Sequence, residues 1–145
     1  MYKRQIELQP YREIIARSQA EIIMTAHIFN RHLDPDFPAT LSAKTIAGLL
    51  RGQLHFQGLV IADDLHMKAI SDNYNLETAL ELTLNAGVDI VMFANNQIYD
   101  ESVAARSAEI IARLVAAGRI SAARIEASCQ RILDFKFNKL SRPLI

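Results

Sequence analysis

Two adjacent carboxylates, Asp63 and Asp64, follow the apolar run Leu59-Val60-Ile61-Ala62, where a chain leaves a buried strand. A carboxylate at a strand end among polar neighbours stays ionised at neutral pH, which suits it to nucleophilic work. Side chains alternate along a strand, so at most one of the two faces a common ligand. The other then caps a helix or bonds to neighbouring backbone. Two further apolar runs end in polar residues: Ile22 to Ala26 is followed by His27 and Asn30, and Val88 to Phe93 by Asn95 and Asn96. His66 follows the aspartate pair. Each has a plain alternative role: an N-cap for an aspartate, a structural hydrogen bond for His27, a turn for the asparagines. His27, His32, His55 and His66 show no metal-ligand spacing, so neither a metal nor a cofactor is expected.

The elements that must position these residues are legible in the periodicity. The three runs are apolar almost without alternation and rich in β-branched residues, as in strands of a parallel sheet buried on both faces. Ser42 is placed to cap a helix through Ile46, Leu49 and Leu50 to about Gln53, and Gly58 marks the turn into the second strand. Asn75 is placed to cap Leu76 to Ala86, with Gly87 at the C-terminal turn. Ser102 to Ala117 is periodic and closed by Gly118. A last helix follows Ser121 with Ile125, Cys129, Ile132 and Leu133 on its apolar face, and Pro10 suggests the first turn of a helix containing Ile14 and Ile15. The order is αβαβαβαα in a single α/β domain, residues 1–145. Strand starts at Ile22, Leu59 and Val88 lie 37 and 29 residues apart, the length of a βα unit. Doubly wound sheets and (β/α)₈ barrels share this unit, and both bind ligands at the carboxyl ends of their strands.

Composition narrows the function. The chain has 145 residues, 50% apolar and 22% charged, with 16 Lys plus Arg against 16 Asp plus Glu. Balanced, dispersed charge lacks the field that phosphate-backbone binding needs, so nucleic acid is not an expected partner. The lone Cys129 gives no disulfide framework and reads as a small buried apolar residue. The start of the chain has no apolar h-region, and no run approaches the roughly 18 apolar residues of a membrane span. The expectation is a cytoplasmic protein with no membrane partner.

The stretch Pro38-Ala39-Thr40-Leu41-Ser42, then Leu49-Leu50-Arg51, Leu54, Phe56, Gly58-Leu59-Val60-Ile61, Asp63, Leu65, Met67 and Ala69-Ile70 resembles the glycoside hydrolase family 3 β-N-acetylhexosaminidases. Ile23-Met24-Thr25-Ala26-His27 upstream, and Ala86-Gly87-Val88-Asp89 with Asn95 downstream, fit the same family. The resemblance runs from about Leu8 to Leu133. It implies a TIM-type (β/α)₈ barrel that hydrolyses terminal β-linked N-acetylhexosamine from glycans or peptidoglycan fragments with retention. By position, Asp63 is the nucleophile at the end of the seventh strand, and Asp64 stands where many relatives carry Ala. His27 falls at the end of the sixth strand beside the sugar subsite. Met67 falls near the subsite rim, where packing is the competing role, and Asn95 after the following strand joins the substrate-binding set. His55 and Gln57 depart from the usual Gly and Asp before Phe56 and Gly58.

A closed barrel needs roughly 250 residues, so three strands in this chain suggest the last three of eight βα units. The loop of Lys-His and Gly-His type that carries the family's acid/base dyad has no match here. The expectation is therefore a partial barrel with the nucleophile, a carbohydrate substrate, and weak or no activity alone. A non-catalytic fragment that completes a barrel with another chain is one alternative, and a receiver-like phosphorelay module another. Unpaired strand edges and an uncovered apolar face predict a homo-oligomer or a complementing fragment.

Overall fold

The computed structural model describes residues 2–96 and 99–140. Three parallel strands, β1 (Ile22–Met24), β2 (Leu59–Asp64) and β3 (Ile90–Met92), form one sheet in sequential order. Ile22, Ile23 and Met24 pair with Leu59, Val60 and Ile61, and Ile61 pairs with Ile90. The ladder continues beyond the short strands, because Thr25 N donates to Ile61 O and Leu65 N to Met92 O. The aspartate pair therefore does not follow β2 but ends it: after an irregularity in register, Asp64 pairs with Met92.

The chain enters on α1 (Tyr2–Ala16), and Pro10 lies within that helix, not at its first turn. A 3₁₀ turn, Ala39–Leu41, leads into a helix over Lys44–Gln53. Ser42 caps it as expected, its Oγ accepting from Thr45 N at 3.0 Å. The helix is wound in the wider π form, and Leu54 N reaches back to Leu49 O. Ile46, Leu49 and Leu50 turn into the core. After β2 come the single turn α2 (Lys68–Ser71) and α3 (Leu76–Ala86). Asn75 caps α3 through Thr78 N, and Gly87 ends it at a φ of 112°, which favours glycine. After β3, α4 (Val103–Ala116), α5 (Ala122–Phe135) and a π turn (Lys136–Leu140) complete the described chain. Among the described residues no helix is long and apolar enough to cross a membrane.

The sheet is covered on one face. Val60 and Ala62 are fully buried in a cluster with Leu41, Ile46, Ile70, Ala79, Leu80 and Leu84. The alternate residues Ile61 and Asp63 are only half-buried, while Ile22 and Met24 are 45% and 55% exposed. The expectation of strands buried on both faces thus holds for one face only. The open face is the one a closed barrel turns inward.

Two expectations for α5 are corrected. Cys129 is exposed, and Leu133 is largely so. The helix is rotated so that Arg124, Ser128 and Arg131 face the sheet, because the sheet offers them a buried carboxylate, Asp89.

Gly58 makes the turn into β2 possible. A methyl group there would collide with the Glu21 carbonyl oxygen and come within 2.6 Å of the Phe56 ring. That carbonyl also accepts from Leu59 N, so it cannot withdraw without loosening β2. Gly58→Ala is expected to lower stability by about 1–3 kcal/mol, read from urea unfolding curves of the two proteins.

Candidate functional site

The two aspartates have opposite surroundings, as alternation requires. Asp64 is buried, and its Oδ1 accepts from His66 N at 2.9 Å. Asp63 lies on the open face with Ile61. Its Oδ1 accepts from Asp64 N at 2.8 Å, and no described residue bonds to its other oxygen. One oxygen orients the carboxylate and the other is free for a ligand.

His27 is held at both ring nitrogens. Nε2 lies 2.8 Å from the Asp64 carbonyl oxygen, which only accepts, so Nε2 carries a proton. Nδ1 lies 2.9 Å from Thr40 Oγ1, itself 2.8 Å from Thr25 Oγ1. The ring thus ties the end of β1, through Thr25 and Thr40, to the backbone beneath Asp63. It has no ring nitrogen left for a sugar in this arrangement. Thr25 and Thr40 are supports of this ring that sequence reasoning passed over, although Thr25 is the one hydroxyl in the first apolar run and Thr40 sits inside the Pro-Ala-Thr-Leu-Ser segment.

The remaining predicted residues gather at the same end of the sheet. Met67 is half-buried and its backbone N donates to Asp64 O at 3.0 Å, which folds it back over the strand end. Asn95 adopts a left-handed φ of 54° and holds Asp100 from both sides, Nδ2 donating to Asp100 O and Oδ1 accepting from Asp100 N. Asn95 therefore shapes the loop after β3. The Asp100 carboxyl is held below the usual carboxylate range by hydrogen bonds from the Ser102 side chain and backbone and by Arg106. Asn30 and Asn96 are exposed, and Asn30 accepts from His32 N in a turn. Among the described residues no three of His, Cys, Asp and Glu converge as a metal site would require.

The strongest electrostatic cluster lies at the other end of the sheet. Asp89 enters β3 with a side chain of 0% exposure and takes Arg51 at 2.7 Å, Arg131 at 2.9 Å and Arg124 at 3.5 Å. Ser128 Oγ and Val60 N also donate to it, at 2.6 and 3.0 Å. Burial alone would raise its pKa, but donors and neighbouring guanidinium charges outweigh burial and hold it below 3.8. This end is the amino side of the strands, which in parallel barrels serves stability and not chemistry.

Three sequential parallel βα units, covered on one face and open on the other, fit a segment of an α/β barrel, with Asp63 at a strand's carboxyl end on the open face. The model of the glycosyl hydrolase family 3 N terminal domain matches residues 3–135, and the chain belongs to that family. This removes the receiver-like alternative. The chain is 33% identical over 99 residues to a Beta-hexosaminidase of Shewanella frigidimarina, covering 66% of this chain and 29% of that protein. It is 40% identical over 99 residues to Beta-hexosaminidase A of Pseudoalteromonas piscicida, covering 61% and 17%. Among solved structures, a glycoside hydrolase family 3 beta-N-acetylglucosaminidase from Paenibacillus sp. str. FPU-7 superposes with a TM-score of 0.84 at 36% identity, covering 92% of this chain and 25% of the other. The beta-N-acetylglucosaminidase from Thermotoga maritima gives 0.77 at 30% identity, covering 92% and 29%. This chain spans about a quarter of the length of these relatives.

Proposed function

We propose that this chain supplies the nucleophile and part of the sugar-binding face of a retaining β-N-acetylhexosaminidase acting on terminal β-linked N-acetylhexosamine of glycans or peptidoglycan fragments. The observation that carries the reading is the contrast at the end of β2: each carboxylate accepts one described hydrogen bond, but Asp64 is buried, whereas Asp63 is half-buried on the open face with one oxygen free there. In this mechanism Asp63 attacks the anomeric carbon, the bond to the leaving oxygen breaks, and water later releases the glycosyl-enzyme. The proton for the leaving group comes from barrel elements beyond these three strands. His27 acts as a positioning residue that fixes the backbone under Asp63, and Met67 and Asn95 shape the rim. A cytoplasmic location belongs to the same proposal and is checked by cell fractionation.

The edges of β1 and β3 have unpaired backbone groups, which favours assembly with further strands. Those strands come from polypeptide outside these residues or from a second copy. Light scattering behind size exclusion, over a dilution series of the 145-residue chain, should give a mass above that of a monomer. A monodisperse monomer at micromolar concentration would count against the open-edge reading. Hydrolysis of a nitrophenyl N-acetyl-β-glucosaminide, assayed with the chain alone and with added complementary barrel segments, tests the function. Activity that appears only on complementation supports the partial-barrel reading, and none under either condition leaves the barrel-completing, non-catalytic role.

A further inference from the structure

His66 stands two residues after β2, and its ring packs against Phe93 beyond β3, centroids 4.9 Å apart and planes tilted by 54°. Its backbone is pinned as well. The amide donates to Asp64 Oδ1 at 2.9 Å and the carbonyl accepts from Ser71 Oγ at 3.3 Å. Nδ1 is sealed from solvent with no hydrogen-bond partner. Nε2 likewise bonds to no described residue, yet it is not among the sealed atoms, so it is the ring nitrogen open to solvent.

A buried, unpartnered ring nitrogen is more readily tolerated as a bare lone pair than as an orphaned N–H. The proton therefore belongs on Nε2. Nor does a neighbouring carboxylate capture that N–H. Asp100 lies near the His66 ring, but its oxygens are taken by Ser102 at 2.7 and 2.9 Å and by Arg106 at 2.7 Å. The result is a ring held rigid by packing, with one unclaimed donor between the strand that carries Asp63 and the loop that Asn95 shapes.

We infer that His66 is a specificity-determining residue of this site, donating its Nε2–H to a neutral oxygen acceptor of the bound sugar. The inference rests on the sugar-binding reading of the strand ends. The acceptor chemistry is shared by a ring hydroxyl and by the carbonyl of an N-acetyl group, and the two are separable by ligand choice. A donor so placed selects for its acceptor, because a ligand lacking that oxygen leaves the N–H unpaired.

The test is a long-range ¹H–¹⁵N spectrum of the histidine rings in the 145-residue chain, titrated in parallel with N-acetylglucosamine and with glucose, with the Met67 methyl as an independent reporter. His66 should show the Nε2–H tautomer and move on titration, while the exposed His32 and His55 stay still. His66→Phe keeps an aromatic ring against Phe93 and should weaken binding about three- to tenfold, the value of one hydrogen bond. His66→Gln, which restores an N–H at similar reach, should recover most of that loss. A loss for N-acetylglucosamine alone identifies the amide oxygen as acceptor, and an equal loss for both sugars identifies a hydroxyl. An Nδ1–H tautomer, or unchanged affinity in His66→Phe while Met67 still responds, overturns the inference and leaves the site reading intact. If neither Met67 nor His66 responds to either sugar, the site reading falls and takes the inference with it.

Discussion

Asp89→Ala is expected to cost about 3–5 kcal/mol of folding stability, a large share of what a domain of this size possesses. The wild-type carboxylate takes hydrogen bonds or ion pairs from Arg51, Arg124, Arg131, Ser128 and the Val60 amide. Removing it leaves three guanidinium groups, each less than one third exposed, with no counter-charge between them. It also leaves Val60 N unpaired in the core beside β3. The cost is that of stranding these groups, not the net worth of one ion pair. Urea unfolding followed by circular dichroism measures it. A loss below 1 kcal/mol would show that water or rearranged arginines replace the carboxylate.

The same residue sets the acid limit of stability. Asp89 and Asp34 both titrate below their ordinary value of 3.8 in the folded chain. For Asp34, burial again opposes, and Ser42 at 2.6 Å, the Asp36 amide and Lys44 prevail. A folded pKa depressed below the unfolded one contributes stability that is complete above the unfolded value and is lost as pH falls through the folded one. Stability should therefore be flat with respect to these two groups near neutrality and decline below about pH 4. In Asp89→Ala the acid limb should be shallower than in the wild type. An acid limb of unchanged steepness would mean that other carboxylates dominate it.

What the sequence disclosed, and what it did not, follows from the range of the forces involved. The three strands, their parallel order and the caps at Ser42, Asn75 and Gly87 are local matters of periodicity and backbone chemistry, and all three caps occur in the structure. The α5 face was misjudged because its apolar spacing, Ile125 to Leu133, says nothing of a carboxylate on a distant strand. Ser128 and Arg131 meet Asp89 across 39 and 42 residues of sequence. One sign was present, an aspartate between Val88 and Ile90, since a charge inside an apolar run needs a partner to be buried. The Thr25–Thr40–His27 chain was hidden for the same reason: each residue is unremarkable alone, and only the fold brings the two hydroxyls within 3 Å of each other and the Thr40 hydroxyl within 3 Å of the ring.

Asp63→Asn is expected to reduce glycoside hydrolysis by a factor on the order of 10⁴ or more in any assembly of this chain that turns over substrate, because a neutral amide does not form the glycosyl-enzyme. Asp64→Asn serves as the contrast. Asparagine keeps an acceptor for the His66 amide, the one side-chain bond that Asp64 accepts, so turnover should stay within about tenfold. A nitrophenolate leaving group departs with little help from a general acid, so this pair of variants isolates the nucleophile from the proton donor. Asp63→Ala adds a stereochemical test. With the carboxylate gone, azide supplied in solution can occupy the space, attack the anomeric carbon from the face opposite the leaving group and expel nitrophenolate. The product is the α-glycosyl azide, with the proton inventory unchanged because an anion enters and an anion leaves. Recovery of turnover by azide with that configuration assigns the nucleophile to Asp63. The reverse pattern, in which Asp64→Asn abolishes turnover and Asp63→Asn leaves it within tenfold, would move the chemistry to the buried carboxylate and require the end of β2 to twist by one residue in the assembled barrel.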